Sequence, residues 1–496
     1  MKLIIHGDLG RYYLQTLCLL FFPGAKFSES EEITASTPVV TVKLTTDDEG
    51  AQAEATVCIG ERSVTRSHRE PYTDLPKKKT ENMAASKAFF DAAKKFFGYT
   101  PSWGIMTGVR PTKIVLDYLN SGMTKEQTVK ALRNDYLVYH KKATLATDIA
   151  RNESKIIKKY PLDTCSVYIS IPFCPTRCSY CSFVSFTTKK LLALIPAYLE
   201  SLKLELSMIK RQIEESGFKL KTIYIGGGTP TTLSESQLED LLSYIDKLFD
   251  TSSLDEFTLE AGRPDTISAK KLESAKNHNV TRISINPQTL NNFVLREIDR
   301  HHTAEMFFKA YEMAQKSGIP CINTDLIIGL PTDDFDSYSY TLDKIIELDP
   351  QNITAHTFCV KRSADILKEE GLQIYSRENK ENYEISKCVD YTQIMTKKAG
   401  YLPYYMYRQK NAVGNFENVG FCKKGTEGIY NILMMEEIHS IFAAGAGAVT
   451  KFVGERNVKI ERIFNPKYPY EYLEQDRQLA FEHTKKVMEQ FFAQNQ

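Results

Sequence analysis

From Asp163 onward the sequence predicts an α/β fold, a partial (β/α)6 barrel built on an open parallel sheet. Two observations carry this. Short apolar runs at 167–171, 222–225, 256–260, 282–285, 322–328 and 352–357 alternate with stretches of helical length at 195–215, 235–249, 269–276, 304–316 and 335–348. The residues able to do chemistry recur near the ends of those runs, where βα-barrels place reactive groups: three cysteines, a glycine run, Glu260, Gln288 and Asp325. Ser234-x-x-Gln237 has the spacing of a capping box at the start of one helix.

At 496 residues the chain is too long for one ordinary core. Three regions are expected: an α+β accessory domain at 1–160, the barrel at 161–365 and a small α+β region at 366–496. In the first, alternation at 39–44 and 53–58 reads as antiparallel strands. Met83, Ala84, Phe89, Phe90, Ala93, Phe96 and Phe97 then form the stripe of an amphipathic helix, and Trp103 is the only tryptophan. A lid or partner surface and a plain packed accessory domain both fit this half.

The bulk numbers exclude several classes. With 63 basic and 62 acidic residues the net charge is +1, which gives no electrostatic case for a nucleic-acid partner. Hydrophobic content of 42% with 11% aromatic is that of a globular chain. The apolar run at 16–23 is too short to span a bilayer and lacks the flanks of a signal peptide. Cys18, Cys58, Cys165, Cys321, Cys359, Cys388 and Cys422 are scattered singly in apolar contexts, as reduced cysteines are in the cytoplasm, the expected location.

The densest chemistry is Cys174-Pro-Thr-Arg-Cys178-Ser-Tyr-Cys181, directly after the strand at 167–171. Pro172 and Pro175 keep this loop from continuing as strand or helix. Three thiolates can hold three irons of a [4Fe–4S] cluster and leave the fourth iron open to a ligand. Structural zinc would need a fourth Cys or His nearby, and the nearest, Cys165, lies on the strand.

Other strand ends carry weaker signals. Gly226-Gly-Gly228 before Thr229-Pro230 lets backbone approach a ligand, or makes a tight turn. Glu260 ends its strand and alone reads as a solvated terminus. Asp325 lies within an apolar strand, where an unpaired carboxylate is costly, so a ligand hydroxyl or an arginine partner is expected. Tyr404-Tyr-Met-Tyr407-Arg408-Gln-Lys410-Asn411 suits a flat ligand bearing carboxylates and equally a Tyr-rich edge strand.

Taken together, Cys174-x3-Cys178-x-Tyr180-Cys181, Gly226-Gly-Gly-Thr229-Pro230, Leu259-Glu260-Ala-Gly-Arg-Pro264, Arg282-Ile-Ser-Ile-Asn-Pro-Gln288, Arg300-His-His-Thr303 and Asp325-Leu-Ile-Ile-Gly329-Leu-Pro331 resemble a known family. It is the coproporphyrinogen III dehydrogenase group of the radical S-adenosylmethionine (SAM) superfamily. The spellings around Glu260 and Tyr407 look most like its HemZ branch. The resemblance spans about 168 to at least 447.

It implies a [4Fe–4S] cluster on Cys174, Cys178 and Cys181, and SAM held by Tyr168, Tyr180, Gly227, Gly228, Thr229, Glu260, Gln288, Arg300, Asp325 and Ala355. Region 366–496 would cover the substrate, with Arg408 and Lys410 as contacts to its propionates. The implied reaction begins with a SAM-derived 5′-deoxyadenosyl radical taking hydrogen from a propionate of coproporphyrinogen III. Loss of CO2 and an electron leaves a vinyl, and two rounds give protoporphyrinogen IX. An electron donor such as flavodoxin or ferredoxin is implied as a partner. Phe183 stands where catalytic relatives often carry a fourth cysteine and where haem-chaperone relatives share the phenylalanine. A haem-binding chaperone on the same cluster fold, or radical SAM chemistry on another substrate, are the alternatives.

Overall fold

The computed structural model describes residues 1–28, 34, 36–359, 379–409, 412–455 and 459–494. Among these, 1–150, 379–382 and 408–417 form one compact unit, and 151–359, 383–407 and 418–494 form a second. No described helix is long and apolar enough to cross a membrane.

The first unit is a four-stranded sheet with a long helix on one face. Strand β1 (Lys2–His6) runs parallel to β2 (Val39–Thr46), which pairs antiparallel with β3 (Gly50–Ile59), itself antiparallel to β4 (Arg62–Pro71). On β3, Ala51, Ala53, Ala55 and Val57 are buried and alternate with polar residues. This row of small side chains lets the helix Lys77–Phe97 lie close on the sheet, burying Ala84, Ala85, Ala88, Phe89, Phe90, Ala92 and Ala93. Phe21 wedges among Phe89, Phe90, Phe97 and Tyr99 with ring centroids 5.3–5.9 Å apart. The helix ends at Gly98, whose φ of +76° is left-handed and suits glycine.

The second unit carries the parallel sheet. Strands β5 (Thr164–Ile171), β6 (Lys219–Gly227), β7 (Glu256–Glu260), β8 (Arg282–Ser284), β9 (Cys321–Ile328) and β10 (Asn352–Thr357) pair in sequence order, all parallel. The helices Ile195–Glu215, Glu235–Phe249, Ala269–Asn277, Ala304–Ser317 and Phe335–Glu347 connect them. Ser234 and Gln237 form the expected capping box. β5 is buried almost throughout, as a strand covered on both faces must be.

The sheet extends past these six strands. Beyond β10 come β12 (Glu417–Cys422), antiparallel to it, and β11 (Leu402–Arg408). On the other side β13 (Ser440–Ala444) runs parallel to β5, followed by antiparallel β14 (Val449–Val453) and β15 (Ile460–Phe464). The order β11-β12-β10-β9-β8-β7-β6-β5-β13-β14-β15 is linear, so the sheet stays open.

Side chains alternate between faces along each strand, and one face is polar. Low on it, Ser166 Oγ bonds Thr222 Oγ1 and His439 Nε2, both at 2.7 Å. Arg282 donates to Cys321 Sγ and the Thr426 carbonyl, each at 3.1 Å, and to Tyr404 OH at 3.4 Å. Higher up, Tyr168, Tyr224 and Tyr430 stack, with Tyr224 and Tyr430 centroids 4.5 Å apart. This polar face leads to the strand ends.

Candidate functional site

The three cysteines sit on the loop that leaves β5. This loop is tied down at both ends: Cys174 N donates to Phe186 O at 3.1 Å, and Ser179 N to Ile298 O at 3.2 Å. All three thiols are free, and Cys174 and Cys178 are buried. Burial pushes the Cys174 thiol up to about 11 and raises that of Cys181, with mutual repulsion among the thiolates adding to it. Such thiols stay protonated until a cation replaces the protons. Among the described residues no three His, Cys, Asp or Glu side chains group around a single ion. A four-iron cluster asks for a different arrangement, one thiolate on each of three irons.

The glycine run ends β6 beside this loop. Gly227 has φ +108°, a conformation glycine alone takes freely. At Gly228 a Cβ would stand 2.7 Å from Phe173 O and 3.0 Å from Cys174 Sγ, so only bare backbone fits there. Thr229 follows with its Oγ1 3.3 Å from Cys174 Sγ and its N donating to Phe173 O at 2.8 Å.

Four more expected residues converge on the ends of β7, β8 and β9. Arg300 is buried. Its Nη2 donates to Gly262 O (2.6 Å) and Asn286 O (2.7 Å), and its Nη1 reaches Tyr180 OH (3.3 Å) and Cys178 Sγ (3.8 Å). Gln288 adopts a left-handed φ of +67°, held by N donating to Asp325 O at 3.1 Å and O accepting from Ile327 N at 3.0 Å. Its Oε1 is buried with no hydrogen-bond partner among the described residues. A buried acceptor without a donor is what a ligand N–H or O–H satisfies.

Glu260 and Asp325 face each other with opposite electrostatics. Burial pushes Glu260 up to about 7, the Asp325 charge adds to this, and a hydrogen bond from Tyr224 OH opposes it. At Asp325 burial also pulls upward, but interactions with His356, Asn323 and Thr354 outweigh it and hold the carboxyl below its ordinary range. Asn286 Nδ2 reaches Oδ2 at 2.9 Å, Asn323 Nδ2 reaches Oδ1 at 2.8 Å and His356 Nε2 lies 3.7 Å from Oδ2. Among the described residues the partners of this carboxylate are thus two amides, a histidine and Thr354, and no arginine. Tyr407 OH in turn sits 3.1 Å from His356 Nδ1.

The remaining residues fall as follows. Tyr168 lies in the tyrosine stack of β5 and β6. Ala355 is buried on β10, and strand alternation puts its side chain on the face opposite His356. Arg408 belongs to the first unit, where it is buried. Its Nη atoms donate to Met106 O and, at 3.1 Å, to Asn415 O, and its guanidinium lies 5.4 Å from the Trp103 ring. Burial lowers it to about 10, with Glu417 opposing, and its Nε has no partner among the described residues. Lys410 lies outside the described residues. The motif reading assigned no role to Asn286, Asn323, Tyr224, His356 or Tyr407. Asn286 and Tyr407 sat inside quoted motifs, and the other three had no signal beyond polarity at alternate strand positions.

These residues fit both expected groups: free thiols for an iron–sulfur cluster, and a glycine cradle, an orphan acceptor and paired carboxylates for a hydroxyl-rich cationic ligand. The radical SAM superfamily model matches residues 168–345. The chain is 35% identical, over 98% of itself and 97% of the relative, to the "oxygen-independent coproporphyrinogen-III oxidase-like protein HemZ" of Bacillus subtilis. It is 31% identical to the "heme chaperone HemW" of the same organism, over 60% of this chain and 73% of that one. The solved structure of coproporphyrinogen III oxidase (HemN) from Escherichia coli covers 67% of this chain and 72% of its own, at 20% identity and a TM-score of 0.49. With nearly full-length similarity of this degree, the chain belongs to the radical SAM superfamily, whose members use a [4Fe–4S] cluster and SAM, and within it to the family of the oxygen-independent coproporphyrinogen-III oxidase-like proteins of HemZ type.

Proposed function

We propose that the protein carries out the oxygen-independent oxidative decarboxylation of two propionates of coproporphyrinogen III to vinyls, giving protoporphyrinogen IX. The observation that carries this reading is the end-to-end similarity to the HemZ-named relative, 97% of whose length is matched. When bound, the cluster and SAM supply a 5′-deoxyadenosyl radical.

In this reading the chain binds and orients. Cys174, Cys178 and Cys181 hold three irons. Gly227, Gly228 and Thr229 bring backbone against SAM, and Tyr168, Tyr180, Glu260, Gln288, Arg300, Asp325 and the backbone at Ala355 line its remaining surface. Arg408 and Lys410 meet substrate carboxylates. The orphan Nε of Arg408 supports that role, because a buried cationic donor without a partner suits a carboxylate. Residues 1–160 act as the accessory domain, 161–365 as the catalytic barrel and 366–496 as the cover.

The second reading is a haem-binding chaperone on the same cluster fold. Two observations favour it: Phe183 at the fourth-cysteine position and the relative named heme chaperone. The deciding experiment is an anaerobic assay of cluster-loaded protein with SAM, a reductant and coproporphyrinogen III. Protoporphyrinogen IX and CO2 are the expected products. SAM cleavage without vinyl formation, together with stoichiometric haem binding, overturns the enzyme reading. Arg408→Ala should slow vinyl formation and leave uncoupled SAM cleavage measurable.

A further inference from the structure

Three strands of the second unit each send one side chain into a single polar chain toward their carboxyl ends. Asp325 comes from β9, His356 from β10 and Tyr407 from β11, whose ring reaches past the intervening β12. His356 Nε2 lies 3.7 Å from Asp325 Oδ2, and Tyr407 OH lies 3.1 Å from His356 Nδ1. The Asn286 and Asn323 amides hold Asp325, which stays ionised. An ionised carboxylate only accepts, so the imidazole proton belongs on Nε2 and Nδ1 is left to accept from the phenol. A phenol on a base that a carboxylate orients is the arrangement of an activated proton-transfer group. Tyr405 stacks on the Tyr407 ring at 6.3 Å. Tyr407 is half-buried and the His356 side chain 26% exposed, so the chain ends in the open site.

Other candidates for a base are silent or engaged. Burial pushes His302 and His439 of the second unit down to about 3. Glu260 receives the Tyr224 hydroxyl and faces SAM in the proposed site. The decarboxylation proposed above has a use for a base. Hydrogen abstraction leaves a radical on the carbon next to a pyrrole ring, and losing its electron puts positive charge on that ring. The ring N–H is then acidic, and a group that takes its proton makes the electron easier to lose. Imidazole exchanges protons in both directions near neutral pH.

We infer that Tyr407, backed by His356, is the proton acceptor of this step and acts on the pyrrole N–H; the inference rests on the decarboxylation reading. As the substrate radical gives its electron to a one-electron acceptor such as a viologen or a quinone, the N–H proton passes to the Tyr407 oxygen. The Tyr407 proton moves to His356 Nδ1, and the imidazolium is paired with Asp325. The carboxylate then leaves as CO2, the C–C bonding pair becomes the vinyl double bond, and the ring nitrogen recovers its proton from Tyr407. His356 returns its proton to Tyr407, so the pair ends unchanged.

The test is freeze-quench EPR with product analysis on the cluster-loaded, full-length protein, given SAM and coproporphyrinogen III. A half-reduced viologen pool serves as electron donor and acceptor. In His356→Ala and in Tyr407→Phe, 5′-deoxyadenosine should form at the wild-type rate. The substrate radical should persist about a hundredfold longer, with vinyl formation slowed to match. Added imidazole should restore radical decay in His356→Ala. Wild-type radical decay in both variants overturns the inference. So does a parallel fall of 5′-deoxyadenosine and vinyl without imidazole rescue, which would make the pair a tie between β10 and β11. Should His356→Ala lose iron, Tyr407→Phe, which removes one oxygen atom, decides. Wild-type protein that cleaves SAM but makes no vinyl overturns the decarboxylation reading and this inference with it. Unchanged variants beside an active wild type overturn the inference alone.

Discussion

Arg300 Nη1 lies 3.8 Å from the sulfur of Cys178 while the same guanidinium clasps the carbonyls of Gly262 and Asn286. With Cys178 ligating the cluster as proposed, a fixed positive charge and N–H donor beside that thiolate would stabilise the more negative, reduced state. Arg300→Gln should therefore lower the cluster midpoint potential, by roughly 60 mV if the one-electron equilibrium changes tenfold. An EPR-monitored redox titration reads this directly. An unchanged potential in a protein with full iron content would show that Arg300 serves only to join the strand ends.

In the proposed site, where Glu260 contacts SAM, SAM binding should depend on pH. Its carboxyl is raised to about 7, so in the free protein it is mostly protonated below that value and ionised above it. A sulfonium- and ammonium-bearing ligand prefers the ionised form, so affinity should rise as pH increases through 7 and be about tenfold weaker at pH 6 than on the plateau. Stability runs the other way. With the folded value above the unfolded one, the folded state binds more protons between about 4.5 and 7, and the contribution of this group falls as pH rises through that window. Calorimetry across pH 5.5–8.5 should show proton release on binding, absent in Glu260→Gln.

Gln288 combines backbone strain with an unsatisfied acceptor. Its left-handed φ costs about 1 kcal/mol in a residue with a Cβ. Gln288→Gly relieves that cost and removes Oε1, so the ligand-free protein should melt no lower than wild type while SAM binding weakens by about 1–3 kcal/mol. Equal SAM affinity in the two proteins would show that Oε1 meets no ligand atom.

Much of this site could be read from the chain because its parts are local. The cysteine loop, the glycine run and the capping box at Ser234 each lie within a few residues, and the six parallel strands announce themselves by alternation with helices. What stayed hidden depends on distant pairing. Ser440–Ala444 is a five-residue apolar run whose partner, β5, lies some 270 positions earlier, and nothing local distinguishes it from a core turn. His356 was passed over for Ala355 beside it. Strand alternation, visible only once the register with β9 is known, turns the histidine toward Asp325. Arg408 was read as a contact to substrate propionates or as part of a Tyr-rich edge strand; that it is buried among carbonyls and Trp103 depends on tertiary packing no local pattern shows.

The pairing of β13 with β5 also has a consequence for how the protein is made. Gly445 donates to Glu205 and Ala446 to Tyr198 OH, and Ser170 bonds the Ala446 carbonyl, so the strand leading to the cysteines, paired with β6 on one edge, is covered on its other edge only after residue 448 has left the ribosome. At 5–20 residues per second, the 267 residues between Cys181 and Ala448 take about 13–53 s to synthesise. For that interval the nascent chain carries three closely spaced thiols without their finished shelter. The enclosure of the cysteine loop therefore waits until β13, the distant partner of β5, has been made.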